Sequence, residues 1–386
     1  MRPRRPLVAR KDSNAGYCAR SCVSAKSVAK APPKAEPELI EQIASGGFGT
    51  VWRARLATQP DKVVAVKVID LKEGSVEQTR RAALQEIKNH AAVSRGSECA
   101  AVIRLISHLE TQSSIELVME YCPGKEWAEF VPEEGLDESM AAYICKQLVA
   151  AVEACHACGV AHLDLRAENV LVQVDASVRL IDFGSSVAFE GHELSEAYVE
   201  LIGGTVGWMS PERVELEARF EAHDFDSDDF ELAQFRFVGP AADVYTVGQL
   251  AYHALYGYSP FEDALEADES PQAILEAMRE GPVFEDEDEL SVHAVSFVRA
   301  LMAYEANERP TARQCANLPW MGTCTSVQGH PTNKHQLTAP VAQEVVVVAE
   351  TIVSDQTSIA ASRTTTTSAS ATEVEDLFSS LAALNI

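Results

Sequence analysis

Long apolar runs are missing from this chain. No stretch approaches the ~18 uninterrupted apolar residues of a membrane-spanning helix, so no membrane span is expected. Basic residues are also scarce. The chain holds 32 Lys and Arg against 58 Asp and Glu, a net charge of −26. That balance argues against nucleic acid or an anionic membrane as the main partner. The 9 cysteines are scattered without metal-type spacing. Cys155 and Cys158 form a C-x-x-C, but it lies in a helical run and reads as buried helix positions. Reduced thiols in an intracellular protein fit this usage best. No internal repeat is visible. The 386 residues suit one soluble domain core with tails.

Acid is nearly absent from the N-terminal segment, residues 1–37. From Arg2 to Lys34, Asp12 is the one acid among many Arg and Lys. Such a composition marks an organelle transit peptide. Pro3, Pro6 and Pro32-Pro33 oppose a regular amphipathic helix, so a disordered basic arm or a nuclear-import patch stands equally. The compartment is therefore cytoplasmic or nuclear, with organelle targeting left open. Residues 323–386 lack a basic amphipathic helix, which removes support for a calmodulin-responsive tail. They are Ser/Thr-rich, with Thr364 to Thr367 in a row, and read as a flexible tail. Near its end Leu377, Phe378, Leu381 and Leu384 fall on one helical face, suited to docking on a partner groove.

The chemistry lies between these flanks. Glu41 to Trp52 reads EQIASGGFGTVW, two strands around a small-residue turn. Gly46, Gly47 and Gly49 carry no side chain, so their N–H groups can approach phosphate oxygens. Val63 to Ile69 is an apolar strand interrupted by Lys67. A lysine there is costly to bury without a partner. The helix-forming stretch 78–90 offers Glu86. Ile115 to Tyr121 is a buried strand by composition, broken by Cys122-Pro123-Gly124. His162 to Val172 reads HLDLRAENVLV, followed by Asp182-Phe183-Gly184. These Asp and Asn side chains offer oxygen donors for a cation and a carboxylate able to accept a proton.

In this order the motifs resemble the eukaryotic protein-kinase family, serine/threonine type. The resemblance covers about Glu38 to Met321 and is specific in combination. It extends to Ser210-Pro211-Glu212, to Asp243 to Gly248, and to Arg309, whose family counterpart pairs with the glutamate at Glu212. It implies an α+β bilobal fold over 38–322. A small antiparallel β lobe with one helix would span 38–120, and a mainly helical lobe 121–322. ATP would lie between them under the loop Ala44, Ser45, Gly46, Gly47, Phe48 and Gly49. Val51 and Ala65 would cover the adenine and Leu171 would support it. Backbone groups of Glu120 and Cys122 would read its edge, with Met119 behind and Glu126 at the ribose. Lys67, held by Glu86, would orient phosphates. Asn169 and Asp182 would bind Mg²⁺. Asp164 would take the proton of the acceptor hydroxyl, with Arg166 near the transferred phosphate. His162, Phe183, His90 and Leu105 would stack. Protein substrates are the implied partners.

Four departures qualify the resemblance. Ala44 replaces the first glycine of the loop. Leu163 stands where the family has an arginine that pairs with a phosphorylated activation loop, so activity is expected without that phosphate. Glu200 lies near the usual phosphosite. Arg166 replaces a lysine, and Leu165-Arg166-Ala167 resembles some tyrosine kinases, whereas Gly204-Thr205 favours serine/threonine specificity. An acidic insertion over about 215–238, dense in Asp and Glu, reads as a solvated loop or as an attractor of basic substrates. Glu126 and Glu168 point the same way, to arginine upstream of the acceptor. A pseudokinase scaffold and a tyrosine or dual-specificity kinase remain the alternatives.

Overall fold

The computed structural model describes residues 37–46, 49–71, 76–189, 206–222, 239–267, 270–284 and 289–323. The first part is a five-stranded antiparallel sheet, in the order β1-β2-β3-β5-β4. Its strands are β1 (Pro37–Gly46), β2 (Gly49–Leu56), β3 (Gln59–Asp70), β4 (Leu105–Glu110) and β5 (Ser114–Glu120), with α1 (Val76–Gly96) between β3 and β4. The hairpin expected at the glycines is present, with Gly46 paired to Gly49. Gly49 is required there by the backbone. Its φ is +127°, and a Cβ would sit 2.2 Å from the Val68 carbonyl oxygen.

β3 has two faces. Val64 and Val66 pack with Ala54 and Val118. Ile69 packs with Ile87 and Ala83 of α1 and with Ile115 and Leu117. The period of two puts Lys67 on the α1 side with Ile69.

The second part is mainly helical. It contains β6 (Lys125–Glu126), α2 (Trp127–Phe130), α3 (Glu138–Ala157), β7 (Val160–Ala161), β8 (Val170–Val172), β9 (Val178–Leu180) and β10 (Val187–Ala188). There follow α4 (Pro211–Ala222), α5 (Gly239–Tyr256), α6 (Glu262–Ala267), α7 (Pro271–Glu280), α8 (Val292–Leu301), α9 (Ala312–Cys315) and α10 (Pro319–Thr323). α5 is buried almost throughout, as a helix at the centre of a core must be, with the polar exceptions Asp243, Thr246, Gln249 and His253. α3 begins where the Asp137 carboxylate accepts from the Met140 N–H at 3.0 Å. Glu138 then ties three helices, accepting from Ser291 Oγ at 2.5 Å and from Trp320 Nε1 at 3.1 Å.

Two expectations change. Cys155 is a buried position of α3, but Cys158 caps the helix and is half-buried. Burial raises both thiols, so neither is a ready thiolate. The acidic insertion begins as helix, since α4 runs through 215–222; residues 223–238 lie outside the described ones. Among the described residues no helix is long and apolar enough to cross a membrane.

Candidate active site

Lys67 meets two carboxylates. Its Nζ donates to Glu86 Oε1 and Oε2 at 2.9 and 3.1 Å and to Asp182 Oδ1 at 2.9 Å. Lys67 and Glu86 are buried, whereas the Asp182 side chain keeps 31% of its surface. Burial pushes the ammonium down, but the charges of Asp182 and Glu86 overcome it and lift Lys67 to about 12. Burial would raise Asp182; the Lys67 charge and the Gly184 N–H, at 3.0 Å, hold it below the usual carboxylate range. Asp182 has φ +57°, a strained region for a residue with a side chain. The Gly184 bond fixes that turn.

The second cluster is Asp164 with Asn169. Asn169 Nδ2 donates to Asp164 Oδ2 at 2.8 Å and to its carbonyl at 2.7 Å. The tie follows from the short 3₁₀ turn Ala167–Asn169, which folds Asn169 back over the loop. Burial raises the Asp164 carboxyl and nearby Asp182 adds to it, against His162, Arg166 and Asn169. Arg166 donates to both oxygens of Glu168, Nε at 3.0 Å and Nη2 at 2.9 Å.

Asp243 carries this loop. Buried at the start of α5, it accepts from the Leu163 N–H and the His162 N–H, both at 2.8 Å, and from His156 Nε2 at 2.8 Å. Burial works against its charge, yet the His156 bond and the loop amides keep it below the usual range. These bonds sustain Leu163 at φ +62°. Leu163 itself is buried with Ala161 and Ala242, against Val187 and Phe189, and its carbonyl accepts from Arg213.

The ring stack links the two clusters. His90 lies flat on Phe183 with centroids 4.5 Å apart, and His162 meets Phe183 edge-on at 5.1 Å. His90 and His162 bond the carbonyls of Ile103 and Ile181, each at 2.9 Å. Leu105 packs instead on the cluster of Ile69, Ile87 and Leu117.

The residues expected around the adenine are placed as follows. Ala65 pairs with Met119 and Val64 with Glu120 across β3 and β5. Ala65 is buried, and Val51, Met119, Cys122 and Leu171 are half-buried. The Glu120 N–H donates to the Arg104 carbonyl at 2.9 Å, so a ligand there can use only the Glu120 carbonyl. Glu126 is exposed on β6, opposite Leu171. Its carboxyl is raised by burial of the site and by Glu129 and Glu168. Ala44, Ser45 and Gly46 are exposed. Gly47, Phe48, Glu200 and Thr205 lie outside the described residues.

The family model described as a protein kinase domain matches residues 38–321. The chain belongs to this family. Among similar proteins is the maternal embryonic leucine zipper kinase of Xenopus laevis, 28% identical over 285 residues, which are 74% of this chain and 39% of that protein. The calcium/calmodulin-dependent protein kinase type 1 of Macrobrachium nipponense is 28% identical over 306 residues, 78% of this chain and 79% of that protein. Serine/threonine-protein kinase 1 of Arabidopsis thaliana is 24% identical over 331 residues, 85% of this chain and 36% of that protein. The chain thus spans well under half of the Xenopus and Arabidopsis proteins. In this kinase domain the sequence reading missed how the loop is held. Asp243 stood out only as the start of a helix, although an acid entering an apolar run is itself a signal of a buried role.

Proposed function

We propose that the chain is an ATP-dependent protein serine/threonine kinase, transferring the γ-phosphoryl group to hydroxyls of protein substrates. The observation that carries this reading is the joint arrangement of Lys67, Glu86 and Asp182 with Asp164 and Asn169. Lys67 stays cationic at any working pH and orients phosphates from its fixed position between two carboxylates. Asp164 receives the acceptor proton. Its carboxyl, raised by burial, suits a general base better than an ordinary aspartate. Asn169 holds Asp164 in place and offers its amide oxygen.

Asn169 and Asp182 supply oxygen donors that fit magnesium. Among the described residues no group of three His, Cys, Asp or Glu could hold a metal alone. Magnesium typically takes one or two protein oxygens and completes its shell with water and phosphate. Bound there with ATP, it neutralises phosphate charge. The preference for serine and threonine rests on Gly204-Thr205 and accords with the name of the Arabidopsis relative.

Leu163 supports activity without activation-loop phosphorylation. It fills a buried apolar position and offers no cation for a phosphate. Basic substrates would meet Glu126 and Glu168 at the mouth of the cleft. The test is phosphate transfer from Mg-ATP to a mixed peptide library, beside the Asp164→Asn variant. Transfer confined to Ser and Thr and lost in the variant is expected. Transfer that persists in the variant, or that disappears after phosphatase treatment, would refute the corresponding part.

A further inference from the structure

α1 presents a buried amide to the turn that carries Asp182. Asn89 is 1% exposed and Ser186 4%. Asn89 Nδ2 donates to the Ser186 carbonyl at 2.7 Å and to Ser186 Oγ at 3.1 Å. Gln85 Nε2 donates to Asn89 Oδ1 at 3.0 Å, fixing which way the amide faces. Ser186 Oγ donates to the Phe183 carbonyl at 2.6 Å, and the Ser186 N–H reaches the same carbonyl at 3.1 Å.

We propose that Asn89 and Ser186 form a polar latch that keeps the segment after Asp182 closed against α1. Both act as positioning residues for the kinase reaction, and this role rests on the function proposed above. The argument is one of satisfied donors. Asn89 finds two acceptors on Ser186, both residues being buried. If residues 182–186 swung away from α1, both donors would be stranded, which disfavours the displaced arrangement. An apolar contact at the same place would tolerate sliding; a bonded amide does not. Asn89 also lies one helical turn from Glu86. An outward shift of α1 therefore breaks the latch together with the Lys67 contact. The latch carries no charge, so it needs neither a cation at Leu163 nor a phosphate on the activation segment.

Two readings test it on the full chain. Amide hydrogen exchange at Gly184 to Val187 is compared in wild type, Asn89→Leu, Ser186→Ala and Ser186→Thr. kcat and the affinity for metal-free ADP are measured in parallel. The latch predicts about tenfold faster exchange and about tenfold lower kcat in the Leu and Ala variants. ADP affinity should be unchanged and the Thr variant near wild type. The double variant should be no worse than the more affected single one. Unchanged exchange in both single variants, or effects that multiply, would overturn the proposal. If Asn89→Leu fails to fold, Ser186→Ala carries the same expectation. If the wild type transfers no phosphate, the kinase reading fails while exchange still decides the latch.

Discussion

Two buried ion pairs in this molecule use the same chemistry for different ends. Arg309 spends every donor it has. Nη1 and Nη2 each reach a Glu212 oxygen at 2.8 Å, and the carbonyls of Ala241, Ala303 and Tyr304 take the remaining N–H groups. Its side chain has no exposed surface and lies 4.8 Å over the Tyr245 ring. No donor of Arg309 is left over, although the Glu212 side chain keeps 22% of its surface. Lys67 divides its bonds between Glu86 and an Asp182 that stays 31% exposed. An ammonium shared between two carboxylates can exchange one of them for a ligand oxygen and remain neutralised. The closed Arg309 pair holds α4, the start of α5 and the segment after α8 together within the helical part; the open Lys67 pair waits for charge.

The contrast breaks most sharply when each glutamate loses its charge. Glu212→Gln leaves Arg309 buried without a counter-ion, and a loss of about 3–5 kcal/mol is expected. Chemical denaturation checks this, and activity per folded molecule should persist. A loss below about 1 kcal/mol would show that the carbonyls alone hold Arg309. Glu86→Gln should behave in the opposite way. Lys67 keeps Asp182, so stability moves by only about 1 kcal/mol. Its orientation relaxes, however, and kcat/KM should fall about 100-fold. A variant that unfolds but stays active when folded would reverse the assignment of the two pairs.

A smaller effect separates the ring stack from both pairs. Burial pushes His90 and His253 down to about 4, with Ile103 and Glu168 respectively opposing. In the unfolded chain both take up a proton near 6.5. Their neutral burial therefore contributes stability above about pH 6.5 that is lost as pH falls toward 4. Between pH 7 and 5 the loss is about 2 kcal/mol for each. Denaturation at the two pH values should show it, and His90→Leu should remove its share. An unchanged pH slope in that variant would mean that His90 does not titrate as its burial requires.

The sequence revealed the open pair better than the supports around it. A lysine inside VVAVKVI demands a partner, and the resemblance pointed to Glu86 of the following helix. The closed pair was visible only through resemblance, because an exposed-looking Arg309 and a helix-start Glu212 carry no local signal. Ser186 and Asp243 were harder still. Asn89 sits 97 residues from Ser186, and Asp243 sits 80 residues from Leu163. Local sequence can mark Asp243 as buried, but it names the partner of neither residue. Gly49 was legible as a glycine that lets a phosphate approach, but its packing constraint was not. Its tightest constraint is the Val68 carbonyl of the adjoining strand. Local chemistry is written in short windows; the fold decides which windows face each other.

A third ion pair sharpens the comparison at its weak end. Arg166 and Glu168 are partly exposed, with 30% and 40% of their side-chain surface open, so the pair itself is worth little in stability. Its effect lies in what it does to Asp164, where burial raises the carboxyl and Arg166 counteracts it. Because the ionised form is the base, the acid limb of kcat/KM should lie above the ordinary aspartate range. Arg166→Gln removes the counteracting cation and should move that limb to higher pH. Glu168→Gln removes an anion and frees Arg166, so the limb should move to lower pH. At neutral pH either change should alter kcat/KM by no more than about fivefold, far less than Glu86→Gln. pH–rate profiles of the two variants decide the matter by direction. Shifts of the same sign would mean that Arg166 acts on the transferred phosphate and not through Asp164.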